Sequence, residues 1–420
     1  MSGEDPSRRG FLAGLGGLAG AAVAAPAAAA PKTIDGKAAP KGAVEPFYGA
    51  HQAGILTLAQ SHCYVAAFDI VATDKAAVAA MLQRWTEASA RMTAGAAAQS
   101  RETDPDQPAS DSGDALELPA ARLTLTFGFG AGLFIKDDKD RFGLAAQRPE
   151  AFVDLPHFPG EQLVEQLTGG DLVVQACADD PMVPFHAVRQ LSRLAYEVAE
   201  LRWVQSGFIG DFGKGTPRNL MGFKDGTGNP STHDAKLMNE HVWVGNEAPA
   251  WMQGGSYVVF RRSRMALEHW DRMKVAFQEQ TFGREKYSGA PLGAKGEADT
   301  VNLDAVDKDG NPVIAENAHI RLAAADNNGG ARILRRSYSY NDGTNFVAER
   351  WPPWHQGMEY DAGLIFVCFQ RDPRTGFIQI NEKLSRFDMM NQFVTNVGGG
   401  LFACPRGVAK GSYIGRELFE

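Results

Sequence analysis

Hydrophobic and polar positions alternate or recur along the chain in ways that predict its first strand and helix. The segment CYVAAFDIVA, which begins at Cys63, is a mostly apolar run of strand length. Thr73-Asp74 follows and favours a helix start, because Asp is a good N-cap residue. The apolar residues after it recur at helical spacing and predict an amphipathic helix: Val78, Met81, Leu82 and Trp85.

The same pattern continues through the first half of the chain. The segments RLTLTFGFGAGLF, from Arg122, and GGDLVVQACA, from Gly169, each contain a predicted strand. The polar, turn-rich residues 100–113 indicate a surface loop. A second helix is predicted from one apolar face, formed by Val188, Leu191, Leu194, Ala195, Val198 and Leu201.

The second half repeats this order. Strands are predicted at GGSYVVFRR, RILRRSYSY and GLIFVCFQ. One helix is predicted from Leu267, Trp270, Met273 and Phe277. A last helix is predicted from Leu384, Phe387, Met390, Val394 and Val397, with its end at Gly398-Gly399-Gly400. Each half thus follows β, α, β, β, α, β in outline, which predicts two α+β units at 41–220 and 221–420, each with an antiparallel sheet and helices on one face.

Composition and charge narrow the function. The chain has 420 residues, 44% of them hydrophobic and 22% charged, as in globular proteins. Its net charge of −8 argues against a general nucleic-acid role, which needs a basic surface. Four scattered cysteines form neither CxxC nor CxxCH, so a zinc ribbon and covalent c-type haem are not indicated, although one disulfide could form: Cys63, Cys177, Cys368 and Cys404.

The N-terminus has the pattern of an export signal. Arg8-Arg9 lies in SRRGFL, ahead of a Gly- and Ala-rich apolar run that ends in small residues. This order matches a twin-arginine signal, and the alternative is a disordered leader that happens to contain two arginines. We therefore assign residues 1–40 to a signal and spacer and expect export of a folded protein, to the periplasm or, in a Gram-positive cell, to its surface.

Common nucleotide-binding and hydrolase motifs are absent from the sequence. GFGAG at Gly128–Gly132 is not a complete GxGxxG, and no GxxxxGK[ST], GxSxG or HExxH occurs. The candidate chemistry lies elsewhere. In MGFKDGTGNP, Asp225 either shapes a turn or acts as a working carboxylate beside glycines that allow a close approach.

Two further positions in the second half are candidates. His319 has apolar neighbours, so it is either a satisfied core histidine or a ligand. Arg335-Arg336 lies in a predicted strand, where one of two adjacent side chains faces inward. A buried arginine needs an anion or a polar ligand.

The chain resembles the dye-decolourising peroxidases, specifically their exported, twin-arginine-signalled deferrochelatase/peroxidase branch. The resemblance covers about Glu45 to Cys404, and its most specific parts are Gly222-x-x-Asp225-Gly226 and the spacing of His319 and Arg335. The other matching stretches are YGAHQAGI, LTFGFGAGLF, GREKYSGAPLG, AHIRLA, RILRRSYSYNDG and GLIFVCFQRDPRTGFIQI.

This resemblance implies two ferredoxin-like units with one non-covalent haem b, held mainly by the second unit. It assigns His319 as the axial iron ligand and places Asp225 and Arg335 on the opposite face, where hydrogen peroxide binds. The backbone of Gly226, Thr227 and Gly228 would line the haem edge. Members often carry a polar or basic residue near a propionate in the window that here reads Ala324-Ala325-Asp326; because Asp is a poor partner there, Asn327 or an arginine elsewhere is the alternative.

The residue types suit peroxide chemistry. A carboxylate can move a proton between the two peroxide oxygens, and an arginine can stabilise the charge that develops. The partners expected are hydrogen peroxide and a bulky organic donor such as a dye, with iron-uptake proteins and a homo-oligomer also possible. The alternatives are a deferrochelatase that releases iron from haem and a non-catalytic haem-binding protein. The aromatic side chains that either relay electrons or only pack are Trp243, Trp351, Trp354 and Tyr338.

Overall fold

The computed structural model describes residues 42–212, 215–348 and 356–420. The expectations for the twin-arginine signal and for Trp351 and Trp354 fall outside these residues. The strands are β1 (His62–Ile70), β2 (Thr124–Phe129), β3 (Leu172–Ala178), β4 (Ala199–Phe208), β5 (Ser256–Met265), β6 (Leu334–Arg335), β7 (Tyr338–Ala348), β8 (Gln356–Gln370) and β9 (Val394–Cys404). The α-helices are α1 (Lys75–Thr93), α2 (Met182–Leu194), α3 (Ala235–His241), α4 (Leu267–Trp270), α5 (Val275–Phe282), α6 (His319–Ala323), α7 (Gln379–Phe387) and α8 (Arg416–Phe419).

The first half forms an antiparallel sheet with the strand order β2-β3-β1-β4. Helix α1 begins where the sequence predicts, because the Asp74 carboxylate accepts a hydrogen bond from the Ala76 N–H at 3.0 Å. Its predicted apolar face is buried, and the Trp85 indole donates to the Leu191 carbonyl of α2 at 2.8 Å. Both helices therefore cover one face of the sheet, as in a ferredoxin-like unit.

The second half repeats this topology. Its sheet has the order β9-β5-β8-β7, and β6 precedes β7 along the same edge of β8. Single residue pairs, Phe129 with Ala403 and Phe208 with Ser339, join the two sheets at their edges. The strands thus enclose a second apolar core, separate from the one under α1 and α2. The predicted α+β class with two ferredoxin-like units is confirmed.

Two of the predicted helices are wrong at their C-terminal ends. Helix α2 stops at Leu194, so Val198 does not belong to it, and Leu201 lies exposed on β4. Val394, Val397 and the glycines Gly398–Gly400 belong to β9 and not to the last helix. A Cβ at Gly399 would lie within 1.9 Å of the Phe260 carbonyl oxygen, so this glycine allows close strand packing and does not end a helix.

The helix predicted across Leu267 to Phe277 is divided in two. Lys274 has an extended backbone (φ −62°, ψ 143°) between α4 and α5, which interrupts the helical hydrogen bonds. Among the described residues, no helix is both long and apolar enough to cross a membrane.

Candidate functional site

The segment around Asp225 forms a tight turn between two short extended stretches. Arg218 pairs with Lys224, and the Asp225 N–H donates to the Pro217 carbonyl at 2.8 Å. The residues after the carboxylate need glycine for the backbone, since φ is +131° at Gly226 and +80° at Gly228. A Cβ at Gly228 would meet no atom within 4 Å, so the backbone here borders open space.

Asp225 and Arg335 form an ion pair although 110 positions separate them. The Arg335 Nη1 lies 3.2 Å from the Asp225 Oδ1, and its Nη2 donates to the Thr227 carbonyl at 3.1 Å. The Arg335 side chain is 26% exposed and the Asp225 side chain is 20% exposed, so a small ligand can reach both. Arg336 points the other way and is buried, which confirms that one of the two arginines faces inward.

Asn229 fixes the backbone of Arg335, and the sequence analysis missed this role. Its side-chain amide donates to the Arg335 carbonyl at 2.9 Å and its Oδ1 accepts from the Arg335 N–H at 2.8 Å. The reciprocal pair holds the short strand β6 against the Gly226–Gly228 turn. An Asn in a Gly-Asn-Pro turn carries no sequence signal that distinguishes this contact from an ordinary turn contact.

Glu297 supports the same turn from the other side and was also missed. Its carboxylate accepts from the Thr227 hydroxyl at 2.9 Å and also binds Thr216 and the Lys224 ammonium. Burial opposes its ionisation, but these hydrogen bonds prevail and lower the pKa of Glu297 below its ordinary value. The residue lies in a loop without periodicity, so nothing in the sequence marks it.

His319 is the first residue of α6 and its ring is partly exposed. Its Nδ1 lies 2.6 Å from the Oδ2 of Asp388, a buried carboxylate whose Oδ1 accepts from the Met390 N–H at 2.8 Å. Within the described parts of the chain, no group binds the His319 Nε2. The sequence analysis could not place the partner of the imidazole, and the structure identifies it as Asp388.

An apolar cluster connects the two parts of the site. Phe223, two residues before Asp225, stacks on Phe282 with 4.0 Å between ring centroids and a 4° interplanar angle. Phe282 in turn meets the His319 ring edge-to-face at 6.3 Å. Met390, two residues after Asp388, packs against the same cluster. The Asp225 turn and the His319–Asp388 pair are therefore built on one packed support.

The remaining candidate residues contact neither the Asp225–Arg335 pair nor the His319–Asp388 pair in the described structure. Tyr338 is fully buried between the sheets, and Trp243 is buried and stacks on His51 with 3.8 Å between centroids. Asp326 is exposed, and the Asn327 amide donates to the Arg321 carbonyl at 2.7 Å.

The donor set suits a metal that arrives inside a cofactor. A single imidazole with a free Nε2 and an Nδ1 fixed by a carboxylate is a typical axial ligand arrangement. The Asp225–Arg335 pair combines a proton acceptor with a permanent cation, and this combination suits a small polar reactant. In the described residues, no group of three or more His, Cys, Asp and Glu side chains could hold a metal ion alone.

Comparisons with known proteins agree with this arrangement. Family models described as Dyp-type peroxidase, N-terminal and C-terminal, match residues 52–209 and 216–409. The chain is 38% identical to a deferrochelatase of Escherichia coli O6:K15:H31 and 38% identical to a dye-decolorizing peroxidase of Thermobifida fusca, over 99% of this chain and 97% of each relative. An oxyferrous complex of DtpA from Streptomyces lividans has a TM-score of 0.81 and 40% identity, covering 90% of this chain and 98% of that one. The chain belongs to the Dyp-type peroxidase family.

Proposed function

We propose that the protein is a haem-dependent peroxidase that reduces hydrogen peroxide and oxidises an organic donor. The observation that carries the proposal is the ion pair of Asp225 and Arg335, partly exposed beside a glycine turn and supported by the same apolar cluster as His319. Family membership and relatives named as peroxidases support the same activity.

His319 is the residue that would hold haem b, through its Nε2. Asp388 fixes the ring by accepting from Nδ1, and its negative charge makes the imidazole a stronger donor. The backbone at Gly228 borders open space, and the segment Gly226, Thr227 and Gly228 would lie at the haem edge. Bound haem supplies the redox-active iron at which the O–O bond of peroxide is cleaved.

Asp225 and Arg335 divide the work on peroxide. Asp225 accepts a proton from one oxygen of hydrogen peroxide and returns it to the other oxygen, which then leaves as water. Arg335 remains protonated and stabilises negative charge on the leaving oxygen. The Thr227 carbonyl and Asn229 hold the guanidinium and its backbone, so the cation is oriented before peroxide binds.

Two kinds of variant test this assignment. His319→Ala should lose stable haem, measured as haem per chain and as the Soret band. Asp225→Asn and Arg335→Leu should keep haem and react with peroxide about 10²–10³-fold more slowly in stopped flow, because each removes one preorganised group. The exposed residues Asp309 and Arg332 give matched controls, Asp309→Asn and Arg332→Leu, which should react at the wild-type rate.

Unchanged haem content in His319→Ala, or wild-type peroxide rates in both Asp225→Asn and Arg335→Leu, would contradict the assignment. Dye oxidation is expected to be fastest at acidic pH, a tendency of the family. A neutral or alkaline optimum would contradict that expectation.

A second activity, release of iron from haem with the porphyrin intact, is favoured by relatives that carry the name deferrochelatase. Peroxide reduction ranks first because Asp225 and Arg335 have a direct role in it, whereas simple haem carriage needs only His319. Iron-uptake proteins as partners and a homo-oligomeric state are part of this proposal.

We also propose export by the twin-arginine route, to the periplasm or to the surface of a Gram-positive cell. The support is the sequence SRRGFL followed by an apolar, small-residue run. Replacing Arg8 and Arg9 with Lys should leave unprocessed protein in the cytoplasm, and normal export of that variant would indicate another route.

A further inference from the structure

Two cysteines face each other in the interior between the sheets. Cys63 of β1 lies directly opposite Cys177 of β3 in the antiparallel register, and both are free thiols that are 2% and 1% exposed. Opposed residues of an antiparallel pair have Cα atoms about 4.5–5.5 Å apart. A disulfide needs a separation of about 4.4–6.8 Å. The strand pairing therefore already brings the two thiols to bonding range.

A buried cation lies beside this pair. Arg336 is 6% exposed and donates to the Thr57 carbonyl and to the Gln60 side chain. In the parts of the chain that the structure describes, no carboxylate pairs with its guanidinium, and its Nε has no hydrogen-bond partner. A buried guanidinium needs a compensating anion. The ionisable groups beside it are the Tyr338 hydroxyl and the two thiols; because burial raises the pKa of Tyr338, the thiols of Cys177 and Cys63 are the better candidates for this anion.

The electrostatics differ between the two sulfurs. Burial opposes ionisation of Cys177, but the neighbouring Cys63 thiol and the Arg336 guanidinium outweigh it and lower the pKa of Cys177. Burial and the neighbouring Cys177 raise the pKa of Cys63. The two directions favour Cys177 as the attacking sulfur and Cys63 as the thiol that completes the disulfide.

Polar side chains lie beside the two sulfurs. The Gln175 amide donates to the Cys63 sulfur at 3.8 Å, while its Oε1 is buried without a hydrogen-bond partner among the described residues. The Tyr338 hydroxyl is likewise buried and lies within hydrogen-bonding range of the Cys177 sulfur. Hydrogen peroxide both donates and accepts hydrogen bonds, as these atoms require.

We propose that Cys63 and Cys177 form a peroxide-sensitive dithiol that is converted into an internal cross-strand disulfide. The Cys177 thiolate attacks one oxygen of hydrogen peroxide, which gives a sulfenic acid and hydroxide, and the hydroxide takes up a proton to become water. The Cys63 sulfur then attacks the sulfenic sulfur, forms the S–S bond and releases a second water. Two electrons pass from the thiols to peroxide. The proposal depends on the proposed function only for the presence of peroxide.

Oxidation has a consequence for the neighbouring site. It consumes the thiols whose ionised form would balance Arg336, and Arg336 is the peptide neighbour of Arg335. Arg336 donates its N–H to the Val367 carbonyl at 2.8 Å, directly after the pairing of Arg335 with Cys368 on β8. Arg336 thus links the dithiol to the strand segment that carries Arg335.

The other two cysteines provide an internal control. Cys368 and Cys404 are equally buried, but their register partners are not cysteines, and burial raises the pKa of both thiols. They should therefore resist peroxide under conditions that oxidise the dithiol.

The experiment treats the folded, haem-loaded protein with a small excess of hydrogen peroxide. Samples are then unfolded in an alkylating agent, and peptides are mapped by mass spectrometry without reductant. We expect a linked peptide pair containing Cys63 and Cys177, with both thiols lost together at least about tenfold faster than Cys368 and Cys404, since each unit of pKa changes the thiolate fraction about tenfold. Reduction should restore both thiols.

Variants separate this proposal from the peroxidase assignment. Cys177→Ser should abolish the linked peptide, whereas Cys368→Ser should retain it. Arg335→Leu, which should impair peroxide turnover, should still form the disulfide, so a failure of one proposal does not imply a failure of the other. Equal oxidation rates for all four cysteines in the folded wild-type protein, or linkage through Cys368 or Cys404, would overturn the dithiol.

Discussion

The Nδ1 of His319 and the Oδ2 of Asp388 lie 2.6 Å apart, across 69 positions of sequence. Asp388 is buried and is also held by the Met390 N–H, so it has little freedom to leave the imidazole. Its carboxylate keeps the Nδ1 protonated and directs the Nε2 lone pair to the opposite side of the ring. Asp388 is therefore a positioning residue for the proposed iron ligand.

Asp388→Asn should retain the fold and weaken the site. The amide oxygen can still accept from Nδ1, but the negative charge is lost, so His319 becomes a weaker donor. Loss of such a partner typically costs 10–100-fold in metal affinity or activity. We expect a rise in the reduction potential of the haem iron and a slower peroxide reaction, measured by redox titration and stopped flow. Asp309→Asn, at an exposed position, is the control. An unchanged potential would show that the charge of Asp388 has no influence on the ligand.

Asn229→Ala should reduce the rate with peroxide without loss of haem. The substitution removes both hydrogen bonds to the Arg335 backbone, while Arg335 and Asp225 remain. Misplacement of a catalytic group by about 1 Å can cost about 10²-fold. We therefore expect the rate of reaction with peroxide to fall below the wild-type rate, but less far than in Arg335→Leu. Asn239→Ala, which removes an exposed amide from helix α3, is the control, and equal rates in both variants would exclude a positioning role for Asn229.

The sequence predicts the fold class and the residues with a local signal. The N-cap at Asp74, the buried face of α1 and the glycine turn at Asp225 each depend on nearby residues, and the structure has them where expected. The assignment of His319 came from the resemblance, and the structure adds a carboxylate and a free Nε2 that agree with it. The boundary placed at 220 and 221 stays a prediction, although the two family models meet between 209 and 216.

The parts that were missed depend on long-range contacts. Asp388, Asn229 and Glu297 contact residues that are about 70 or more positions away, and none has a distinctive neighbourhood in sequence. The strand β9 was assigned to a helix because its valines happen to fall at helical spacing after α7. Only its pairing with β5 shows that its glycines serve close backbone contact.

Glu297→Gln should lower the free energy of unfolding in a pH-dependent way. The folded pKa of Glu297 lies below its ordinary value of 4.5, because hydrogen bonds from Lys224, Thr216 and Thr227 outweigh burial. The carboxylate therefore contributes stability above the ordinary pKa, and this contribution disappears as the pH falls through the lowered folded pKa. The partly exposed pair is screened by solvent, so we expect a difference of about 1 kcal/mol or less.

Denaturant titrations of wild-type and variant at several pH values measure this difference. The difference in the free energy of unfolding should be constant from neutral pH down to about pH 5 and should shrink as the pH falls below the ordinary carboxyl pKa. Glu285→Gln, in the neighbouring loop, is the control, since the pKa of Glu297 does not depend on it. A difference that grows as the solution is acidified would have the wrong sign and would exclude an ionised Glu297 in the folded protein.

Iron release should be slow without a reductant and an acceptor. The metal can leave an intact porphyrin only when protons replace it on the pyrrole nitrogens, and reduction to the ferrous state weakens its binding. On the proposed haem side of the turn, Asp225 is the candidate acid, and its Oδ1 is bound by the Arg335 Nη1 at 3.2 Å. We expect haem-loaded protein with a chelator alone to release almost no metal-free protoporphyrin, and addition of a reductant to increase the yield. Asp225→Asn should reduce that yield if the carboxyl supplies protons. Porphyrin fluorescence after extraction measures the product, and rapid stoichiometric release by the protein alone would rank iron extraction above peroxide reduction as its intrinsic activity.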